Sequence, residues 1–297
     1  MFRGSMVALV TPMDAAGEVD WRAWQALLEF HLDNGTNGVV VAGTTGESPT
    51  VTPGELERLV RSAVELVDGR MAVIGGSGSH STAHAIELTR LVQGAGADAA
   101  LIVTPYYNKP TQTGLKAHYG AIADATSLPI ILYNVPGRTC CDLLPETAAA
   151  LSEIDQVVAL KEAVPGAERV RRIRELCGEN LQLLSGDDAT AGEFMLAGGD
   201  GVISVTGNVA PALVRTLCEF ATAGDAAAAG EVDARLAPLS AALFAEPSPI
   251  PVKWALWRMG LIGPGIRLPL TPLSPACQPA VETALAAAGI ELPPVTP

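Results

Sequence analysis

GVVVAGTTGES, residues 38–48, passes from an unbroken apolar, β-branched run into two threonines held between glycines, with a carboxylate and a serine directly behind them. Continuous rather than alternating hydrophobicity marks a strand covered on both faces, as in a parallel sheet. Just beyond, Thr52-Pro53-Gly54-Glu55 carries the signals of a helix start: a threonine cap, proline in the first turn, and a glutamate three residues after the cap. The stretch reads as strand, polar loop, helix.

The same unit recurs in both directions. Met6–Val10 precedes it, and Ala72–Gly75, Ala99–Thr104, Pro129–Asn134, Val157–Lys161, Leu181–Ser185 and Gly201–Val205 follow, making eight runs. Amphipathic segments lie between them. One opens at Asp20 and runs to Asn34-Gly35, and Ser81, Thr111, Asp142 and Asp188 or Thr190 are predicted caps for others. Eight strand–helix units in roughly 220 residues predict an α/β fold of the (β/α)8 TIM-barrel class. An open doubly wound sheet fits less well, because its first strand feeds a glycine-rich dinucleotide turn and here Thr11-Pro12-Met13-Asp14 follows instead. From about Gly224 the sequence becomes Ala-rich and helical (Asp225 to Glu246), breaks at Pro247-Ser248-Pro249-Ile250-Pro251, and resumes as helices expected from Val252 and from Pro279 to Ala288. The expected organisation is a catalytic barrel over residues 1–223 and a small C-terminal helical domain over 224–297, with a frayed tail from Pro293 to Pro297.

With 297 residues, 48% of them apolar, the chain can bury a large core without disulfides or metals. A net charge of -13 argues against nucleic acid or an anionic membrane as partner, since either relies on dense Lys/Arg patches. The only basic cluster, Arg169-Val170-Arg171-Arg172-Ile173-Arg174, lies at helical spacing near Glu168 and Glu175 and reads as a solvated helix face. Cys140, Cys141, Cys177, Cys218 and Cys277 are odd in number and contain no C-x-x-C pair, which suits reduced thiols. Met6–Val10 is too short for a signal peptide, and no apolar stretch approaches a membrane span, so a cytoplasmic protein is expected.

Barrels of this class build active sites at the C-terminal ends of their strands. Lys161 closes an apolar run, where burial should lower its pKa toward the free amine that Schiff-base catalysis requires. The plain alternative is a strand-end lysine paired with Glu162 or with solvent. Tyr133, after Ile130-Ile131-Leu132, brings a phenol able to pass a proton, or else a packed aromatic. Thr44 and Thr45, with their backbone N–H groups, offer a carboxylate cradle, or a tight turn with capping. Arg138, in Pro136-Gly137-Arg138-Thr139, can grip a carboxylate with its fork of donors, although a surface ion pair is the commoner fate. His80 and His84 stand four apart without a third metal ligand and read as a solvated or interface pair. No P-loop, zinc-protease or nucleophile-elbow motif occurs, and neither metal nor cofactor is expected.

Taken in order, Gly43-Thr44-Thr45-Gly46-Glu47, Val103–Pro110, Leu132–Thr139, Leu160-Lys161-Glu162-Ala163, Ser185–Asp188 and Gly201–Val205 closely resemble the dihydrodipicolinate synthase (4-hydroxy-tetrahydrodipicolinate synthase) family, from Met1 to about Leu292. The resemblance implies a pyruvate-dependent class I aldolase. In that family Lys161 would form an imine with pyruvate, the derived enamine would attack L-aspartate 4-semialdehyde, and the product would cyclise as the substrate's amine displaces the enzyme. This is the first committed step of diaminopimelate and lysine biosynthesis. Tyr133, Thr44 and Tyr107 match the family's proton relay, with Tyr107 reaching into a neighbouring subunit. Thr45 and the Ile203 backbone match pyruvate-binding positions, and Arg138 matches the group that receives the semialdehyde carboxylate. A homotetramer built as a dimer of dimers is implied.

N-acetylneuraminate lyase and keto-deoxy sugar acid aldolases share the lysine and tyrosine. Thr44 beside Thr45, Tyr106-Tyr107 and Arg138 favour the synthase. A non-catalytic keto-acid-binding barrel is disfavoured by the intact set Lys161, Tyr133, Thr44 and Tyr107. The family's lysine-effector positions fall on Ser48, His80, His84 and Tyr106. His84 replaces the acid of lysine-inhibited relatives, His80 a carboxamide, and Pro53 and Leu56 two histidines. The effector's α-ammonium then lacks its charge partner, and weak or no lysine feedback is expected.

Overall fold

The computed structural model describes residues 2–294; positions 295–297 of the expected frayed tail lie outside the described residues. Eight strands, β1 (Gly4–Ala8), β2 (Gly38–Val41), β3 (Ala72–Gly76), β4 (Ala99–Val103), β5 (Ile130–Asn134), β6 (Val157–Glu162), β7 (Gln182–Ser185) and β8 (Gly201–Ser204), close into a barrel in chain order. All neighbours are parallel, and β8 returns to pair with β1. Around them run α1 (Trp21–Asp33), α2 (Pro53–Val67), α3 (Thr82–Gly94), α4 (Gln112–Ala123), the single turn α5 (Pro136–Thr139), α6 (Pro145–Leu151), α7 (Ala167–Cys177), α8 (Ala191–Leu196) and α9 (Pro211–Thr222). The expected TIM barrel is the observed fold. Beyond it α10 (Ala226–Ala242) packs on α8, α9 and α12 (Gln278–Ala287), and α11 (Ile250–Arg258) also packs on α12.

Asp20, Thr52, Ser81 and Thr111 all cap their helices through the side chain, and Thr52 with Glu55 forms a reciprocal capping box. Each such cap stabilises by about 1 kcal/mol. Two expected caps serve elsewhere. Asp142 does not start α6, which begins at Pro145; its carboxylate accepts from Arg169 at 2.7 and 3.1 Å. Asp188 accepts from the Val205 and Thr206 N–H groups and the Thr206 hydroxyl at 2.8–2.9 Å, and neither it nor Thr190 caps α8. In both cases donors from the next strand–helix unit outcompete a local helix end.

β1 is offset from the expected Met6–Val10. Past Ala8 the Leu9 N–H still donates to the Val40 carbonyl at 3.1 Å, but the Val10 N–H donates to the Asn208 side chain instead. α11 starts earlier than expected, at Ile250, because Pro251 falls in its first turn, where no intrahelical N–H is needed.

The strands alternate between two cores. Met6, Ala8, Val40, Ile74, Ala99, Leu101, Ile131, Tyr133, Ala159, Leu184 and Ile203 fill the barrel, and the residues between them pack on the helices. Lys161 follows Ala159 at period two and so enters the barrel. Glu162, one residue on, faces the helix layer.

Candidate active site

Strands β5 and β6 bring the principal pair together. Tyr133 lies directly across from Lys161 in the ladder, and the lysine Nζ sits 4.3 Å from the tyrosine ring centroid. Only 5% of Lys161 and 6% of Tyr133 are exposed. A Cβ at Gly186 would come within 3.1 Å of Lys161 Cε, so the residue that follows β7 must be small for the lysine stem to pass. Burial pulls the Lys161 pKa down to about 8; the Arg138 charge adds to this and Asp188 opposes it. A group with that pKa is about one-tenth free amine at pH 7, against roughly one part in 2,500 for an ordinary lysine. Lys161 does not pair with Glu162, which lies on the opposite side of the barrel wall. Burial raises the Tyr133 pKa and keeps the phenol protonated, although Arg138 and a hydrogen bond with Thr44 pull the other way.

The loop after β2 folds back on itself. The Gly46 and Ser48 N–H groups donate to the Gly43 carbonyl and the Glu47 N–H to the Thr44 carbonyl, at 3.0–3.2 Å. A Cβ on Gly46 would lie 2.9 Å from Ala42 Cα, so glycine is required there. Thr45 is buried, whereas Thr44 lines the cleft above. Arg138 projects from α5, exposed, and its guanidinium donates to the Ser248 carbonyl at 3.4 Å. Ile203 lies buried in β8.

A cleft of about 440 Å³ opens beside these groups, and Lys161, Thr45 and Ile203 are not among its lining residues. Thr44, Tyr133 and Arg138 line it, and so do Ser48, His80, His84 and Tyr106, so these catalytic and effector candidates share one continuous opening. The His80 ring meets the Tyr106 ring edge-on at 5.1 Å, and His84 Nδ1 lies 3.3 Å from Glu87. Tyr107 stands apart: it is 91% exposed, adopts φ 75° and does not line the cleft of its own chain.

A family model described as the dihydrodipicolinate synthetase family matches residues 1–288. The chain belongs to that family. It is 56% identical over 274 residues (92% of this chain and 94% of the relative) to a 4-hydroxy-tetrahydrodipicolinate synthase from Nitrosococcus oceani. To the synthase from Alcanivorax borkumensis it is 54% identical, over 98% of this chain and 99% of the relative. Among solved structures, a chloride-inhibited dihydrodipicolinate synthase from Acinetobacter baumannii, complexed with pyruvate, superposes with a TM-score of 0.97 at 47% identity, covering 98% of this chain and all of that one. The Aquifex aeolicus enzyme superposes with a TM-score of 0.95 at 44% identity, covering 98% and 99%. Among the described residues no helix is long and apolar enough to cross a membrane.

Family motifs do not reveal what supports the lysine from behind. Glu162, fully enclosed, accepts from Arg169 Nε at 2.9 Å, from the Val164 N–H at 2.8 Å and from Asn134 Nδ2 at 3.0 and 3.1 Å. The expectation of a solvated arginine face holds for Arg171 and Arg172, which are exposed, and is corrected for Arg169 and Arg174. Arg169 reaches inward to this carboxylate, and Arg174 is held by Asp200 and by the Gly178, Leu181 and Gly198 carbonyls. A carboxylate at the outward position of a buried strand was the available signal, because such a group needs a cation from the helix layer.

Proposed function

We propose that this chain acts as a 4-hydroxy-tetrahydrodipicolinate synthase, condensing pyruvate with L-aspartate 4-semialdehyde. The observation that carries the reading is the enclosed Lys161 amine beside the Tyr133 phenol at the barrel mouth. The amine attacks the pyruvate carbonyl carbon, and the carbinolamine loses water to give an imine. Loss of a methyl proton yields the enamine, whose carbon attacks the aldehyde. The aldehyde oxygen gains a proton as the new C–C bond forms, and the substrate's own amine then adds to the imine carbon and releases Lys161.

Tyr133 and Thr44 carry the protons of these steps, joined by Tyr107 from a neighbouring subunit. The Thr45 hydroxyl and the Ile203 backbone hold the pyruvate carboxylate, and Arg138 receives that of the semialdehyde. Both substrates are anions approaching an acidic protein, so local donors rather than long-range steering must hold them. The working form under this reading is a homotetramer of paired dimers in the cytoplasm, with the chemistry in residues 1–223 and a helical domain in 224–297.

The test is a substrate comparison. Pyruvate with aspartate semialdehyde should turn over rapidly, and pyruvate with N-acetylmannosamine should not. The reverse order would assign the chain to the sugar acid aldolases.

A further inference from the structure

Glu47, the carboxylate behind the threonines, takes no part in the steps above, yet it is closely confined. It is 2% exposed, and its partner Lys253, from α11, is 4% exposed. One carboxylate oxygen pairs with the Lys253 ammonium, and the other accepts the Arg267 backbone N–H at 3.0 Å. Burial depresses the Lys253 pKa and the nearby Glu47 charge restores it in part. An apolar pair of the same volume commonly stabilises a fold as well as a buried ion pair does, so stability alone does not account for these two charges.

Their position does. Glu47 adopts φ 59°, a left-handed backbone that a glutamate seldom occupies. Its N–H donates to the Thr44 carbonyl at 3.1 Å, and its carbonyl accepts the Thr50 N–H and hydroxyl at 2.9 and 3.1 Å. Gly46 is held from below by the Thr11 hydroxyl at 2.7 Å. The residues directly behind the threonines are thus tied in two directions, Gly46 to the loop after β1 and Glu47, through its side chain, to α11 and the Arg267 backbone. The same segment touches the site a second time, where the Ser248 carbonyl, just ahead of α11, accepts from Arg138.

We infer that Glu47 and Lys253 are positioning residues, a buried ion pair through which α11 fixes Thr44 and Thr45 against Lys161 and Tyr133. This rests on the function proposed above. A misplacement of about 1 Å at reacting groups costs up to roughly 100-fold in rate, which is the scale on which such a tether acts.

The test uses the full chain. The double variant Glu47→Gln/Lys253→Met removes both charges at nearly constant side-chain length, and Lys253→Arg keeps the charge but moves its head. The double variant should melt cooperatively and still be reduced by borohydride onto pyruvate at Lys161. Its pyruvate KM should rise about fivefold and its kcat fall about tenfold, with the pH midpoint of kcat/KM unchanged. Lys253→Arg should shift both constants in the same direction by less. A merely structural pair would lower the melting midpoint and leave kcat and KM per folded molecule at the unaltered values, which overturns the inference. If the double variant does not fold, Lys253→Arg decides by the same criterion. An unaltered enzyme that is not trapped by borohydride overturns the functional reading itself, a result that involves neither variant.

Discussion

Replacing Arg169 with methionine tests how the reacting strand pair is held in place. Glu162 follows Lys161 in β6 and Asn134 follows Tyr133 in β5, so the Asn134–Glu162–Arg169 network fastens the two residues next to the reacting pair. The remaining guanidinium donors go to Asp142 and, at 2.8 Å, to the Leu143 carbonyl. Methionine keeps an apolar stem but leaves the enclosed Glu162 without its cation, and breaking a buried pair in this way costs about 3–5 kcal/mol. Asp142 is about one-third exposed and adds little to that figure. At roughly 2–4 °C per kcal/mol, the melting midpoint should fall by about 6–20 °C.

The deficit should also depend on pH, with a definite sign. Burial already holds the Glu162 pKa above the ordinary carboxylate value despite Arg169. Losing the guanidinium drives it higher. The native variant then binds its proton more tightly than the unfolded chain does. Stability is retained at low pH and falls as pH rises from the ordinary value of about 4.3 through the raised native one. Urea titrations of both proteins at about pH 5.5 and pH 8, at one fixed protein concentration, should show the larger deficit at the higher pH. A deficit under about 1 kcal/mol, or one equal at the two pH values, would refute the reasoning.

The Lys161 pKa of about 8 sets a rate profile. kcat/KM for pyruvate should climb about tenfold per pH unit below that value and level off above it, and a profile flat from about pH 6.5 to 9 would contradict a titrating amine. Chains carrying Tyr107→Phe, refolded together with chains carrying Lys161→Ala, should recover activity that neither has alone, because one mixed site contains both unaltered groups. Verified mixed oligomers without activity would return Tyr107 to its own chain's site. Saturating lysine should change the steady-state rate by less than about twofold, because His84 supplies no fixed negative charge for the effector's ammonium. Strong inhibition in the same assay would show that another group serves.

The barrel was legible because enclosed strands appear as continuous apolar runs and because four helix starts carry their caps in sequence. Lys161, Tyr133 and the threonine pair were legible as strand ends at a barrel mouth. What stayed hidden were contacts between distant units. Asp142 and Asp188 look like caps along the chain because their true donors, Arg169 and the Thr206 backbone, come from the next unit. Arg169 and Arg172 carry the same charge on the same helix, yet one is enclosed beside Glu162 and the other half exposed. Glu47 and Lys253 meet across most of the sequence. No local pattern announces such a pair. Tyr107 is exposed and does not line its own chain's cleft, so the structure of one chain gives no contact that tests the role proposed for it.

Covalent capture of pyruvate is the most direct measurement. The protein is incubated with pyruvate and sodium borohydride, digested, and its lysine-bearing peptides weighed. A pyruvate-dependent mass increase is predicted on the Lys161 peptide alone and should vanish in Lys161→Ala. An unmodified Lys161, or a label on Lys109, Lys116 or Lys253 instead, would contradict the account.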